Sequence, residues 1–220
     1  MMNVEQALRQ RHSVRAFLSR AVGAAQVREL LVQAGLAASG GNLQPWRVMA
    51  LTGTSLQALR QAMSEATPDS DAALVYPAQL WEPYRSRRFD NGEDLYRSSG
   101  MGREDRVGRL RQLASNAQMF GAPVGVFVAV EKRMLHAQWV DLGIYLQSLM
   151  LLAADKGLAT CAQGFWRSYS TFVSRNLALP PGYQIAFGLA LGYEDSAAPV
   201  NQWRSTRAAP EDWCELRGFE

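Results

Sequence analysis

Four short stretches of this chain gather residue types suited to holding a charged, flat small molecule. In Arg11-His12-Ser13-Val14-Arg15, two guanidinium groups flank a hydroxyl. Guanidinium forks grip phosphate oxygens in pairs and a serine hydroxyl adds a donor, so the stretch suits a phosphate. Taken alone, such a run is more often an ordinary charged turn. In the stretch Ala38 to Arg47, Gly40-Gly41 lets backbone approach a flat ligand closely, and Asn42 and Gln44 offer donors and an acceptor. Pro45 stiffens the turn and Trp46 can pack against it; the plainer alternative is a helix-to-strand loop with a core tryptophan. In Thr160 to Trp166, a strand end could present a backbone amide to a ligand among aromatic side chains. Cys161 as a nucleophile is the sharper alternative there. A small buried cysteine is the commoner case, and neither His12 nor His136 lies in a partner motif. Asn201 to Arg207 adds the cationic forks of Arg204 and Arg207, unless it is simply a solvated tail.

These stretches need elements to position them. Apolar spacing predicts helices over Val4–Arg11, Gln26–Ala38, Leu56–Met63, Arg103–Phe120, Leu135–Lys156 and Tyr169–Leu177. Short strands are expected over Arg47–Thr52, Leu158–Ala162 and Gln184–Tyr193. Val124–Val130 is almost continuously apolar, as a strand buried on both faces reads. Gly53-Thr54-Ser55 reads as a turn with a helix cap, and Gly157 as the stop of the longest helix. That helix is apolar or small on nearly every side, which marks a core element or a large interface. Pro68 to Met101, rich in Pro, Gly, Tyr and Arg, reads as irregular, a mobile insertion or lid at about 68–101. Asn201–Glu220 reads as a polar tail.

Bulk properties narrow the function. At 220 residues and 48% hydrophobic composition the chain can bury a sizeable core, and residues 1–220 read as one domain. The net charge is +3, and the segment from Arg85 to Arg111 holds eight arginines against five acids, which accounts for it. No dense basic stripe with interleaved aromatics or nucleic-acid motif accompanies that excess, so no nucleic-acid partner is expected. The uncharged run Leu142–Ala154 is too short to span a bilayer, Asn176–Tyr193 is broken by Pro and Gly, and Met1–Gln10 lacks the apolar core of a signal peptide. No membrane association is expected. Cys161 and Cys214 do not make a disulfide framework, and no Cys/His spacing fits zinc, which together read as a reduced, cytoplasmic protein without a metal. There is no G-x-G-x-x-G, no Walker loop and no legible Ser–His–Asp set.

The four stretches in this order, with the strand Gly121–Val128 (GAPVGVFV), resemble the FMN-binding nitroreductase family over nearly the whole chain. The matching pieces are RHSVRAF (Arg11–Phe17), SGGNLQPWR (Ser39–Arg47), CAQGFW (Cys161–Trp166) and NQWRSTRAAP (Asn201–Pro210). The resemblance implies an α+β fold, an α/β sandwich with a mixed central sheet flanked by helices. It implies an intertwined homodimer joined through long helices, with an FMN in each of two interface sites. Arg11, Ser13 and Arg207, with Arg204 nearby, would hold the phosphate, His12 contributing through its backbone. Arg15 would lie near the pyrimidine edge of the isoalloxazine. Ser39, Gly40, Asn42 and Gln44 would approach the flavin from the partner chain. Gln163 and Gly164 would sit over the ring face, a backbone N–H reaching N5. Many family members carry Lys at the position of Arg15 and an acid at that of Gln163; both departures are expected to shift flavin potential or substrate preference.

The resemblance further implies NADH or NADPH as donor, hydride passing through flavin N5 with no catalytic side chain, and ping-pong alternation of donor and acceptor on one face. A cation at Arg15 suits the negative charge that reduction places on the pyrimidine edge. The acceptor is expected to be a small aromatic substrate, a nitroarene and among these a nitrobenzoate-like one. Trp81 and Tyr84 would stack on it and Arg88 would attract its charge, unless these are simply a solvated lid surface. Alternatives on the same FMN are reduction of quinones or activated alkenes, reductive dehalogenation and flavin cleavage; the alternative of another class is a non-catalytic flavin-binding protein.

Overall fold

The computed structural model describes residues 2–69 and 75–219. Part of the expected lid (70–74) and the two terminal residues lie outside these. The sheet is laid down by β1 (Phe17–Leu18), β2 (Arg47–Thr52), β3 (Val124–Glu131), β4 (Ala159–Gln163) and β5 (Tyr183–Glu194). β5 is the hub: β3 pairs along one side of it, β4 and β1 pair with it as well, and β2 forms the edge beyond β3. All these pairings are antiparallel. An isolated parallel bridge, Ser13 to Thr160, supplies the mixed character expected of the sheet.

The apolar run read as a doubly buried strand is β3, whose residues are buried from Val124 to Val130. Alternate side chains serve two cores. Val124, Val126, Val128 and Val130 pack with α2 (Ala24–Ala34) and α6 (His136–Asp155) on one face. Phe127 and Ala129 pack on the other, with α3 (Gly53–Ala62), α7 (Ser170–Asn176) and Trp166. This is a helix–sheet–helix sandwich, each helical stripe covering one sheet face. The second core includes a close approach at Gly188, where a Cβ would fall 2.2 Å from Trp166 Cδ1. α6 ends where expected: Gly157 takes φ +70°, a backbone state favouring glycine. Its inner side buries Leu142, Tyr145 and Leu149, while Leu135, Val140 and Ile144 stay exposed.

Several expectations shift. The first helix is α1 (Val4–Gln10), and α2 begins two residues before the expected Gln26 and ends at Ala34. The expected turn at Gly53-Thr54-Ser55 is already the first turn of α3. The expected helix over Arg103–Phe120 is shorter, α5 (Arg106–Ala114): Asp105 caps its start by accepting from Gly108 N, and Met119, Phe120 and Gly121 take positive φ, which no helix continues through. The largest correction lies in the stretch from Pro68 to Met101, which contains a 15-residue helix, α4 (Tyr84–Ser98). No residue of α4 is buried, so the apolar periodicity that betrays a helix is missing. Local pairs support it instead: Glu82 accepts from Ser86 and Arg85, and Asp94 from Arg97. The tail carries a short α8 (Pro199–Gln202) that lies against α4. Among the described residues no helix is long and apolar enough to cross a membrane.

Candidate functional site

The outer edge of β4 organises the site. Val14 donates its N–H to Thr160 O at 3.0 Å, laying the segment Arg11 to Arg15 alongside that strand. Asn201 then ties in the C-terminal arm. Its Oδ1 accepts from Arg15 N (2.8 Å), and its Nδ2 donates to Ala16 O (2.8 Å) and Asp195 O (2.9 Å). Asn201 is buried, and every polar atom of its side chain is used. It was not singled out from the sequence; it is the first residue of the C-terminal motif, and position in that motif was the only available signal.

Three of the four sequence motifs therefore meet at the end of β4. Their guanidinium groups come with them. Burial lowers the pKa of Arg11, and the positive charge of Arg207 lowers it further. Arg15 NH1 donates to Ser13 O, Arg204 NH1 to Asn201 O and Trp203 O, and Arg207 NH1 to Ser205 O and Thr206 O. These acceptors are neutral carbonyls. Among the described residues none of Arg11, Arg15, Arg204 and Arg207 has a carboxylate partner. The nearby acid, Glu194, lines the same cavity as Arg11 and Arg204 but is paired with His12. Guanidinium groups gathered together and left without a salt bridge fit an anionic ligand, and their forks fit a phosphate.

Other side chains here are already occupied. His12 sets Nε2 3.1 Å from Glu194 Oε1 and Nδ1 3.2 Å from Gln10 O, which leaves its backbone for a ligand. The Cys161 thiol donates to Ala162 O at 3.9 Å. Burial pushes that thiol above its ordinary pKa, against the opposing pull of Arg15, Ser13 and Arg11. A thiol held in its neutral form is a poor nucleophile, which agrees with the packing role expected of Cys161.

Gln163, expected over a ring face, keeps only its backbone free for that role. Its side chain turns into the core: Nε2 donates to Asn116 O (2.9 Å) and Oδ1 (3.1 Å), and Oε1 accepts from Trp166 Nε1 (3.1 Å). A neutral amide can donate and accept at once; a carboxylate could not donate to Asn116. The Gln163 side chain thus serves the core, and backbone is what this strand end offers a ligand. Gly164 follows, and a Cβ there would come 3.0 Å from Val75 Cγ1.

The second motif sits elsewhere. Gly41, Asn42 and Gln44 all take positive φ, giving a tight, exposed loop. Ser39 Oγ accepts from Gln44 N at 3.0 Å, and Gln44 Nε2 reaches Asn42 O and Oδ1. Gly40 N donates to Asp141 Oδ1 on α6 (3.1 Å), while Asp141 Oδ2 is buried without a partner. Trp46 stacks on Tyr145 of α6 at 5.0 Å and 28°. Among the described residues, the hydrogen bonds of Ser39, Gly40, Asn42 and Gln44 stay within the loop or go to Asp141, and none reaches the arginine cluster.

A cavity of about 870 Å³ opens beside Arg15. Arg15 shares its lining with Tyr76, Arg85, Arg88, Phe89 and Tyr96. Of the side chains expected to touch a substrate, Arg88 lines this cavity. Trp81 and Tyr84 do not; they pack edge to face on each other at 5.6 Å and are exposed.

Known proteins match this arrangement along the full chain. Over 212 residues the protein is 34% identical to 4-nitrobenzoate reductase of Pseudomonas putida, covering 96% of this chain and 93% of that one. It is 31% identical to chloronitrobenzene nitroreductase of Comamonas testosteroni, covering 96% and 95%. The crystal structure of the FMN and NADPH-dependent nitroreductase NfnB from Sphigopyxis sp. strain HMH superposes with a TM-score of 0.95 at 38% identity, covering 99% of this chain and 100% of that one. Residues 8–193 match the Nitroreductase family, a span that contains β1 to β4 and nearly all of β5; with relatives this similar over almost its whole length, the chain belongs to that family.

Proposed function

We propose that the protein is a homodimeric, FMN-dependent NAD(P)H oxidoreductase that reduces nitroarenes, nitrobenzoates among them. The observation that carries this is the gathering of Arg11, Ser13, Arg15 and Arg207 beside β4, the arginines among them without a salt bridge among the described residues. FMN supplies exactly one thing the side chains lack, the ability to take a hydride from NADH or NADPH and pass it on. Arg11 and Arg207, with Arg204, hold the phosphate. Arg15 stands over the cavity mouth, where its fixed charge favours electron density on the pyrimidine edge. The backbone of Gln163 and Gly164 meets the ring. Reduction to the hydroxylamine consumes two NAD(P)H and two protons per nitro group and releases one water.

The second motif supports the homodimer. Its loop makes no hydrogen bond to the cluster of its own chain among the described residues, and it completes the site when a partner chain supplies Ser39, Gly40, Asn42 and Gln44. The exposed apolar side chains Val4 and Leu8 on α1, Val140 on α6 and Leu135 just before it suit burial against a second copy. Cys161 and Cys214 are both free thiols, which suits the cytoplasm. The chain read as one domain, with α4 and its flanks as a lid, fits this scheme.

The test is an absorption spectrum of the purified protein under anaerobic conditions. Flavin bands bleached by NADH or NADPH and restored by a nitroarene are expected. A protein that neither carries nor takes up FMN contradicts the proposal, and a yellow protein inert to both donors reduces it to flavin binding.

A further inference from the structure

Eight arginines lie between Arg85 and Arg111, and most already have a partner. Arg85 pairs with Glu82 (2.7 Å), Arg87 with Asp212 (3.6 Å) and Arg97 with Asp94 (2.9 Å). Arg103 and Arg109 share Glu93, at 3.0 and 2.6 Å. Among the described residues, Arg88, Arg106 and Arg111 have no carboxylate. Arg111 lines a separate groove beside Arg60, and Arg106 starts α5. Arg88 alone of the three faces the cavity next to Arg15.

Its guanidinium lies 4.5 Å over the ring of Tyr76. A cation–π contact uses the face of the guanidinium and leaves its N–H edges available. Those edges form the planar fork that matches a carboxylate. Phe89 and Tyr96 supply aromatic surface in the same cavity, and Glu93, its one acidic lining residue among the described residues, is already paired with two arginines.

We propose that Arg88, oriented by Tyr76, is the specificity-determining residue that takes the carboxylate of an aromatic nitro acid. This rests on the reading of the site as an FMN-dependent nitroreductase. The fork fixes one end of a flat substrate, and the nitro group is left to point toward the flavin end marked by Arg15. A neutral nitroarene enters the same cavity without that anchor. Identity to relatives does not separate the two classes, because a 4-nitrobenzoate reductase and a chloronitrobenzene nitroreductase match at 34% and 31%.

The test uses FMN-loaded dimer reduced with one equivalent of donor and then mixed anaerobically with nitrobenzene or 4-nitrobenzoate. Loss of a charge-assisted pair predicts that Arg88→Gln raises the 4-nitrobenzoate concentration giving half-maximal reoxidation rate about ten- to a hundredfold, with the limiting reoxidation rate nearly unchanged. Nitrobenzene kinetics should stay the same, Arg88→Lys should restore part of the loss, and Arg87→Gln should change neither substrate. Equal losses on both substrates would make Arg88 a lid-packing residue and overturn the assignment. Slower reduction by NADPH than by NADH in Arg88→Gln, with 4-nitrobenzoate unaffected, would give the fork to the donor's phosphate and also overturn it. If the wild-type reduced dimer is reoxidised by neither nitroarene, the reading of the site falls, and the role of Arg88 with it; if nitrobenzene alone reoxidises it, only the Arg88 proposal falls.

Discussion

The two ends of the site are built differently. At the β4 end, backbone and arginine side chains are anchored on a buried sheet: Thr160, Cys161 and Gln163 are buried, and Trp166 and Asn201 lock the segments beside them. At the α4 end no helix residue is buried, and ion pairs between exposed side chains set the geometry. One end can be rigid because moving it disturbs a core; the other can vary because changing it disturbs little. A shared cofactor end and a changeable substrate end are what a family acting on many acceptors requires.

That contrast is most severely tested at Trp166. Trp166→Ala empties a fully buried site, leaves Gln163 Oε1 unpaired and removes the edge-to-face contact with Phe127 at 5.1 Å. A loss of roughly 3–5 kcal/mol is expected in chemical denaturation. The exposed Phe89→Ala should lose about 0.5 kcal/mol or less. Similar losses at both positions would erase the distinction.

Asp141→Ala removes the acceptor that holds Gly40 N, and FMN affinity should fall about tenfold, as for a hydrogen bond to a charged group. Asp141→Asn keeps an acceptor and should recover most of it; fluorescence titration with FMN reads both. If Asp141→Ala binds FMN normally, the second motif is not positioned by α6.

The α4 end depends on Glu93, whose carboxyl is held down to about 2 by hydrogen bonds from Arg109 and then Arg103. A depressed carboxyl pKa favours folding above the ordinary value near 4.5, and that contribution is lost as pH falls from there toward about 2. Amide protection of 84–98 should therefore be flat from neutral pH to about 4.5 and decline below. Glu93→Gln should lower protection of α4 at neutral pH while β3 and β5 are unchanged. Loss confined to the sheet would contradict the assignment of the brace. The smallest effect is expected at Cys161. Cys161→Ala should retain turnover within about twofold, since a buried neutral thiol takes no part in the chemistry; abolished turnover in a folded variant would reinstate the nucleophile.

The sequence displayed the sheet end more clearly than the helix end, for the same physical reason. Burial writes periodicity: Val124–Val130 and Leu135–Lys156 were readable because their side chains sort by environment. α4 buries nothing, so its composition resembles a loop. The motifs around Arg11, Gly40, Cys161 and Asn201 are legible as residue types, and three of them lie together beside β4. Side-chain direction was not legible: Gln163 points to Asn116 and Trp166, and Trp81 and Tyr84 pair with each other, because rotamers answer to tertiary neighbours that a one-dimensional pattern does not contain. Which chain supplies the Ser39 loop is likewise a property of assembly.

The arginine cluster as a phosphate site is tested most directly by comparing binding of FMN and riboflavin, which differ only in that phosphate. Wild-type protein should prefer FMN by about a hundredfold or more, given roughly 1.5–3 kcal/mol for each charge-assisted contact. The double variant Arg11→Gln, Arg207→Gln should lose that preference while riboflavin affinity stays the same. Equal affinity of the wild type for the two flavins, or a double variant that still prefers FMN, would contradict the site described at the end of β4.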